Sequence, residues 1–321
     1  MPVNLKKITT QPELLTGGHR LCPGCAESII ARHVLHAVLD AGYFPVVATA
    51  TGCLEVATTV FPHTAWKVPW IHNAFENAAA TISGVEAAHK ALVRKGAYPG
   101  DKKIAFIAFG GDGGTYDIGL QSLSGALERG HKFIYVLLDN EAYMNTGIQR
   151  SSSTPFAAWT TTSPVGKVIP GKPQHKKNIT EIAAAHGIPY TAQTALHNPL
   201  DIMNKVQKAL KFEGPAFINV LSPCQRGWRF PSDKTIAISK MAVETRFWPV
   251  YEVYYGRKWV VNYRPRKEIP VEEYLRMQRR FAHVFKNPAL IEEIQKFVDR
   301  RWADLLLKAE ATKDVEVEIP A

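Results

Sequence analysis

The sequence predicts an α/β fold in which helices cover both faces of a mostly parallel β-sheet, followed by a C-terminal extension. Two observations predict this fold. Short apolar runs alternate with amphipathic stretches of helical period through most of the 321 residues. The composition, with 46% apolar and 21% charged residues, is that of a packed globular protein and excludes intrinsic disorder, collagen and a coiled coil. A chain of this length can bury a large core without disulfides.

Five apolar runs are predicted to be strands, and amphipathic stretches lie between them. The strands are expected at residues 45–50, 104–109, 133–138, 188–193 and 216–221, of which the fourth is the weakest. The helices are expected at residues 26–41, 74–95, 117–129, 178–186 and 199–211. Helices should end at Gly130, Gly187 and Gly214. Because parallel neighbours are joined by right-handed crossovers, the carboxyl ends of such strands share one edge of the sheet.

Two segments interrupt the alternation. Residues 150–177 are rich in Ser, Thr, Pro, Gly and Lys without periodicity, and a loop of this length in a compact chain is usually functional. After Cys224 the chain is aromatic and basic to about residue 268, and helical stretches are expected at 271–286 and 289–310. We therefore predict a cofactor-binding domain at residues 1–225 and an extension at 226–321 that wraps partner subunits. A small independent helical domain is the alternative.

The net charge of +10 raises the question of nucleic acid, but its pattern argues against that partner. The densest basic pieces are short and lie at residues 264–267, 279–280 and 300–301, without a basic stripe interleaved with aromatic residues ahead of them. No run of about eighteen apolar residues occurs, and the N-terminus lacks the apolar core of a signal peptide. We expect no nucleic-acid partner, no membrane segment and a cytoplasmic location.

The four cysteines indicate metal binding or redox chemistry. In a reducing compartment disulfides are rare, so Cys22, Cys25, Cys53 and Cys224 are better suited to other roles. The first two are separated by Pro-Gly, which allows a tight turn with both sulfurs on one side. Cys53 and Cys224 each follow a predicted strand, where a loop should begin, so all four thiols can converge at one sheet edge. Structural zinc, an iron–sulfur cluster and ordinary buried cysteines all fit this spacing.

A second constellation begins where the strand at 104–109 runs into Gly-Gly-Asp-Gly-Gly at 110–114. Glycines let the backbone approach a phosphate, and the start of the following helix favours negative charge. Asp112 would repel a diphosphate unless a cation lay between them, so it implies Mg²⁺. Asn140 follows the next strand and should lie beside Asp112. The combined pattern resembles the diphosphate–Mg²⁺ motif of thiamine diphosphate enzymes, whose third ligand is a backbone carbonyl, here that of Ala142.

Taken together, the motifs resemble one family, the 2-oxoacid:ferredoxin oxidoreductases, and most closely the separate β subunit of the four-subunit pyruvate type. The resemblance spans nearly the whole chain. It is carried by GHRLCPGC at 18–25, ATGCLE at 50–55, IHNAFEN at 71–77, residues 110–119, DNEAYMNTGIQ at 139–149 and SPC at 222–224. The fold implied is the thiamine-diphosphate-binding fold.

The resemblance also implies roles for individual residues. Cys22, Cys25, Cys53 and Cys224 would ligate a [4Fe–4S] cluster close to the thiazolium ring. The turn of Thr51, Gly52, Cys53 and Leu54 would lie against the cofactor, and Gly113 and Gly114 would contact the diphosphate. Met144 and Asn145 would face the cofactor, with Asn145 also reaching toward the substrate as the candidate catalytic residue. The roles of His72, Glu76 and Asn77 are left open, and Glu76 reads as an ordinary charge at a helix start.

The reaction implied is oxidative decarboxylation of pyruvate to acetyl-CoA and CO₂, with thiamine diphosphate as the electron sink and coenzyme A as co-substrate. The chain has one diphosphate domain, so an α subunit must supply the glutamate for the aminopyrimidine. It also lacks a second, ferredoxin-like cysteine group, so electrons must leave through γ and δ subunits to ferredoxin. Three alternatives stay open: the same machinery acting on oxalate or a branched-chain or aryl 2-oxoacid, a zinc-stabilised structural subunit without cofactor, and a non-redox thiamine decarboxylase.

Overall fold

The structure, a computed structural model, describes residue 3 and residues 5–320. Within these residues eight strands form one sheet. They are β1 Phe44–Ala50, β2 Trp70–Asn73, β3 Ile104–Gly111, β4 Ile134–Asp139, β5 Tyr190–Ala195, β6 Ala216–Leu221, β7 Tyr251–Tyr254 and β8 Lys258–Val261. Their order across the sheet is β2-β1-β3-β4-β6-β5-β7-β8. The first six are parallel, and β7 and β8 add an antiparallel edge. The predicted α/β fold class is confirmed.

The helices pack on both faces of this sheet. In chain order they are α1 Leu5–Ile8, α2 Ala26–Asp40, α3 Cys53–Thr58, α4 Ala78–Arg94, α5 Leu120–Glu128, α6 Ile179–Ala184, α7 Pro199–Ala209, α8 Gln225–Trp228, α9 Thr235–Glu244, α10 Val271–Arg276 and α11 Pro288–Ala311. Asn178 and Asn198 cap α6 and α7 by accepting backbone hydrogen bonds, and Pro199 opens α7. Within the described chain, no helix has both the length and the apolar character needed to cross a bilayer.

Successive side chains along the strands point to opposite faces of the sheet and pack into two apolar layers. Val47, Ile107 and Val136 pack with α2 and α7 on one face. Their neighbours in sequence, such as Ala48 and Leu137, pack with α4, α5 and α6 on the other face. The central strands β4 and β6 are buried along their whole length, as expected for parallel strands covered on both sides.

Residues 226–320 extend the sheet at its β5 edge and pack against it. They supply β7, β8 and the helices α9 to α11, and they form an apolar cluster around Trp228 that includes Tyr274 and Phe281. The helix predicted at 271–286 is wrong as one element, because α10 ends at Arg276 and two short 3₁₀ turns, Arg279–Phe281 and Val284–Lys286, follow it. The extended backbone of Gln278, with φ of −133°, breaks the helix.

Candidate active site

The carboxyl ends of β1, β3 and β4 open onto one cleft. Residues 51–54 form the turn after β1 and the start of α3, residues 112–114 follow β3, and the segment after β4 runs from Asn140 onward. Strands β3 and β4 pair directly, with Gly111 opposite Leu138, which sets the two turns side by side. All eleven residues expected to bind cofactor line this cleft: Thr51, Gly52, Cys53, Leu54, Asp112, Gly113, Gly114, Asn140, Ala142, Met144 and Asn145.

Asp112 is buried with one carboxylate oxygen unpaired. Its Oδ2 accepts a hydrogen bond from the hydroxyl of Ser151, while its Oδ1 has no hydrogen-bond partner among the described residues. Burial raises the pKa of Asp112 well above its usual range, and the nearby charge of Asp139 adds to this effect. A buried carboxylate with a free oxygen at a cleft fits the needs of a hard cation such as Mg²⁺.

Asn140 is fixed from two directions. Its side-chain Nδ2 donates to Oε1 of Glu27 at 2.9 Å, and its backbone carbonyl accepts a hydrogen bond from Nε1 of Trp228 at 2.7 Å. The backbone N–H of Ala142 donates to Oδ1 of Asn140 at 3.4 Å. These contacts define a rigid turn in which the Asn140 side chain and Ala142 both line the cleft.

The glycines of the 110–114 turn are required by close packing. A Cβ on Gly113 would lie 2.3 Å from the ring of Tyr143, and one on Gly114 would lie 2.7 Å from the carbonyl oxygen of Phe75. The Tyr143 hydroxyl also donates to the Gly113 carbonyl at 2.7 Å. The chain then forms a π-helical turn, Gly113–Ile118, before α5, so the regular helix begins later than the predicted residue 117. Turns of this kind are rare and concentrate at functional sites.

A second cavity of about 310 Å³ is lined by all four cysteines, Cys22, Cys25, Cys53 and Cys224. The first pair sits in a tight turn closed by a 2.9 Å hydrogen bond from the Cys25 N–H to the Cys22 carbonyl. Cys53 begins helix α3, so the loop expected at this position is wrong. Cys224 caps α8, its Sγ accepting the N–H of Gly227 at 3.4 Å. All four cysteines therefore line one cavity.

The four cysteines line this cavity without forming a preassembled site for one metal ion among the described residues. In the part of the chain that the structure describes, no three His, Cys, Asp or Glu side chains are arranged to hold a single metal ion. Burial raises the pKa of Cys224 to about 11 and also raises the pKa values of Cys25 and Cys53, for which the neighbouring carboxylate of Glu27 is the next contribution. Thiolates in this cavity therefore need a cationic group to stabilise them.

The cleft and the cysteine cavity share a wall made of Glu27, Cys53, Asn140, Met144 and Asn145. Glu27 is a site residue that the sequence analysis missed. It is buried, burial raises its pKa to about 7, and its Oε2 has no partner among the described residues. Its only signal in the sequence is an acid two positions after Cys25, which looks like an ordinary charge in the first turn of a helix.

Residues 150–177 all lie within the described part of the chain and form neither helix nor strand. This segment contacts residues that follow β3 and β4. Three consecutive serines each donate a hydrogen bond to a different aspartate: Ser151 to Asp112, Ser152 to Asp117 and Ser153 to Asp139. The sequence predicts a functional loop here but does not single out these serines, because short hydroxyl residues are common in any loop.

The three residues whose roles were left open lie beside the cleft. Nε2 of His72 is 2.9 Å from the Thr51 hydroxyl and 3.7 Å from a carboxylate oxygen of Glu55. Asn77 precedes α4 without a side-chain cap, and the backbone of Glu76 packs against Gly119. His72 thus stabilises the 51–54 turn.

The sequence matches the family model described as "Thiamine pyrophosphate enzyme, C-terminal TPP binding domain" over residues 50–220. This span holds the strands and turns that build the cleft. Fold and match together define the chain as a protein of the thiamine pyrophosphate enzyme class.

Similar proteins narrow this class. The chain is 58% identical to the pyruvate synthase subunit PorB of Thermotoga maritima, over 98% of this chain and 99% of that one. It is 43% identical to the ketoisovalerate oxidoreductase subunit VorB of Pyrococcus furiosus, over 97% and 98%. The chain belongs to the family of 2-oxoacid:ferredoxin oxidoreductase β subunits, and the resemblance to PorB confirms the sequence-based expectation. A solved 2-oxoglutarate:ferredoxin oxidoreductase from Magnetococcus marinus shares the fold, with a TM-score of 0.51 at 21% identity over 65% of this chain and 68% of that chain.

Proposed function

We propose that this chain is the β subunit of a pyruvate:ferredoxin oxidoreductase that binds thiamine diphosphate with Mg²⁺ and a [4Fe–4S] cluster and forms acetyl-CoA. The observation that carries the proposal is the wall shared by the cleft and the cysteine cavity. A group in one space would lie next to a group in the other, which is the arrangement that electron transfer between two cofactors requires.

In this proposal the chain holds the cofactor by its diphosphate. Asp112, the side chain of Asn140 and the carbonyl of Ala142 hold Mg²⁺, and Gly113 and Gly114 contact the diphosphate. The unpaired Oδ1 of Asp112 and the close packing around both glycines support these roles. Thiamine diphosphate, when bound, supplies the carbanion that attacks the keto carbon and the ring that accepts the electrons released with CO₂.

The remaining wall of the cleft would orient the reacting end of the cofactor. Thr51, Gly52 and Leu54 lie on one side, and Met144 and Asn145 lie on the other. We assign the contact with the substrate to Asn145, whose side chain is exposed at the cleft and has an amide able to donate to a substrate oxygen.

The four cysteines would hold a [4Fe–4S] cluster that accepts single electrons. Support comes from their lining of a single cavity and from the half-buried positions of Cys25, Cys53 and Cys224, whose thiols need positive charge to be held as thiolates.

Other subunits would complete the enzyme. An α subunit supplies the carboxylate for the aminopyrimidine, and γ and δ subunits pass electrons to ferredoxin. We assign residues 1–225 to the cofactor domain and 226–321 to the region that wraps these partners. Both relatives are named as subunits, which agrees with a multi-subunit assembly.

The test is a metal analysis of the anaerobically purified complex carrying Cys53→Ser, with wild type and Asp112→Asn beside it. Cys53→Ser should lose about four irons, the matching sulfide and one dithionite-reducible chromophore. Asp112→Asn should keep the iron and lose Mg²⁺-dependent thiamine diphosphate binding. If Cys53→Ser kept all its iron, or if wild type held zinc instead of iron, the cluster would be excluded and the chain would be a structural or non-redox protein.

Substrate choice is tested separately by comparing kcat/KM for pyruvate with that for a branched-chain 2-oxoacid. The 58% identical relative is named for pyruvate and the 43% identical relative for ketoisovalerate, so we expect pyruvate to be preferred. A preference for the branched-chain acid would instead assign the chain to a ketoisovalerate-type oxidoreductase.

A further inference from the structure

The turn that follows β4 contains an unusual backbone. Glu141 has a φ of 66°, in the left-handed region that residues other than glycine rarely adopt. It is completely buried and lies between Asn140 and Ala142, both of which line the cleft. A conformation of this kind persists only where the surrounding structure enforces it, and such positions cluster at functional sites.

Two cations hold the carboxylate of Glu141. Its Oε1 accepts a hydrogen bond from Nζ of Lys176 at 3.0 Å, and its Oε2 accepts one from the guanidinium of Arg280. Lys176 and Arg280 are themselves buried, and Nζ of Lys176 also lies 3.4 Å from Oδ2 of Asp139. The carboxylate is thus held at both oxygens, in surroundings where a lost partner would leave an uncompensated charge.

The part of the chain that contains Arg280 also contacts Asn140, through Trp228. Nε1 of Trp228 donates to the Asn140 carbonyl at 2.7 Å. The guanidinium of Arg280 lies 4.0 Å from the centre of the Trp228 ring, and its Nε donates to Gln278 at 2.8 Å. Trp228 and Arg280 therefore form one buried unit from residues 226–321 that contacts two successive residues of the turn.

We propose that Trp228 and Arg280 are positioning residues for the Mg²⁺–diphosphate site, because they hold residues 140 and 141 so that the Asn140 side chain and the Ala142 carbonyl face the cleft. This inference deepens the proposed function and rests on it. It gives residues 226–321 a role inside the active site, in addition to any contact with partner subunits. None of these side chains needs to touch substrate or cofactor.

A purely structural role is the rival explanation, and a charge-balanced double variant separates the two. Arg280→Met leaves the Glu141 carboxylate with one buried partner fewer, which should destabilise the protein whatever its function. Glu141→Gln/Arg280→Met removes the unpaired charge and should recover most of the melting temperature. Arg279→Met is the matched control, because Arg279 is the exposed neighbour on the same 3₁₀ turn.

The experiment measures the Mg²⁺ concentration for half-maximal thiamine diphosphate binding, together with melting temperature and iron content, in the assembled complex. Arg280→Met and the double variant should both need about ten- to a hundredfold more Mg²⁺, the usual effect of losing an outer residue of a metal site. Arg279→Met should match wild type. The inference is supported if the double variant recovers its melting temperature but still needs the higher Mg²⁺ concentration.

Two results would overturn the inference. A Mg²⁺ requirement that returns to the wild-type value together with the melting temperature would show that Arg280 acts on stability alone. A wild-type requirement in Arg280→Met itself would exclude the positioning role directly. Failure of the proposed function looks different, because wild type would then show no Mg²⁺-dependent thiamine diphosphate binding at all.

Discussion

Replacing Asp112 with asparagine should make the cofactor-free chain more stable and prevent it from gaining stability from its cofactor. Asp112 is buried beside other carboxylates, and its Oδ2 accepts a hydrogen bond from Ser151. Burying an ion costs several kcal/mol, and a hydrogen bond to a charged group returns about 1.5–3 kcal/mol. The remainder, about 1–3 kcal/mol, is the penalty that asparagine removes while it still accepts the Ser151 bond.

The assay is thermal unfolding of the full-length chain, first with a chelator and then with Mg²⁺ and thiamine diphosphate. For a chain of this length about 1 kcal/mol corresponds to about 2 °C, so Asp112→Asn should melt about 2–6 °C higher than wild type without ligand. At about 100 times the dissociation constant, the ligand should add about 2.7 kcal/mol to wild type, or about 5 °C. The variant should gain nothing.

The matched control is Asp117→Asn, which changes a half-buried aspartate that accepts hydrogen bonds from the next serine, Ser152. It should keep the full gain from Mg²⁺ and thiamine diphosphate. A lower melting temperature for cofactor-free Asp112→Asn, or a ligand gain equal to that of wild type, would refute the reasoning that this carboxylate is kept for a cation.

Three further substitutions test other parts of the site. Gly113→Ala should weaken thiamine diphosphate binding at least about tenfold, because the added Cβ would overlap the Tyr143 ring, 2.3 Å away. The control is Gly84→Ala, at an exposed helical position, which should stabilise the chain by about 0.5–1 kcal/mol in the thermal unfolding assay. Glu27→Ala should lower both iron content and thiamine diphosphate affinity, since this side chain lines both spaces and holds Asn140, whereas a fall in only one of the two would contradict a shared role. Lys176→Met should cost about 3–5 kcal/mol by leaving two buried carboxylates short of a partner, and a melting temperature within about 2 °C of wild type would argue against that charge balance.

The parallel half of the fold was predictable because its strands are long apolar runs. The strands predicted at 45–50, 104–109, 133–138 and 216–221 are present, and the one at 188–193 is shifted to Tyr190–Ala195. Strand β2 is four residues long and only its last residue, Asn73, is buried, so it leaves little signal. Strands β7 and β8 are equally short and lie in an aromatic, basic stretch. Antiparallel pairing of β7 with β5, and of β8 with β7, decides their structure.

At the candidate site the sequence indicated the groups that face the cleft and missed those that hold them. Asp112 and Asn140 follow apolar strands, and the carboxyl end of a parallel strand is where a ligand-binding residue is expected. Glu27, the row of serines at 151–153 and Arg280 act through contacts between segments distant in sequence, such as the Arg280 to Glu141 pair, and no local pattern reports such a contact. Their roles depend on tertiary structure alone.

The four cysteines come from three separate parts of the chain: the turn before α2, the start of α3 after β1, and the segment after β6. They meet only after β6 has joined the centre of the sheet beside β4. A nascent chain still short of Cys224 therefore has only three of the four cysteines that line the cavity. Under the proposed function, the full set of cluster ligands therefore exists only late in synthesis, in a cavity that two exposed arginines, Arg20 and Arg226, also line.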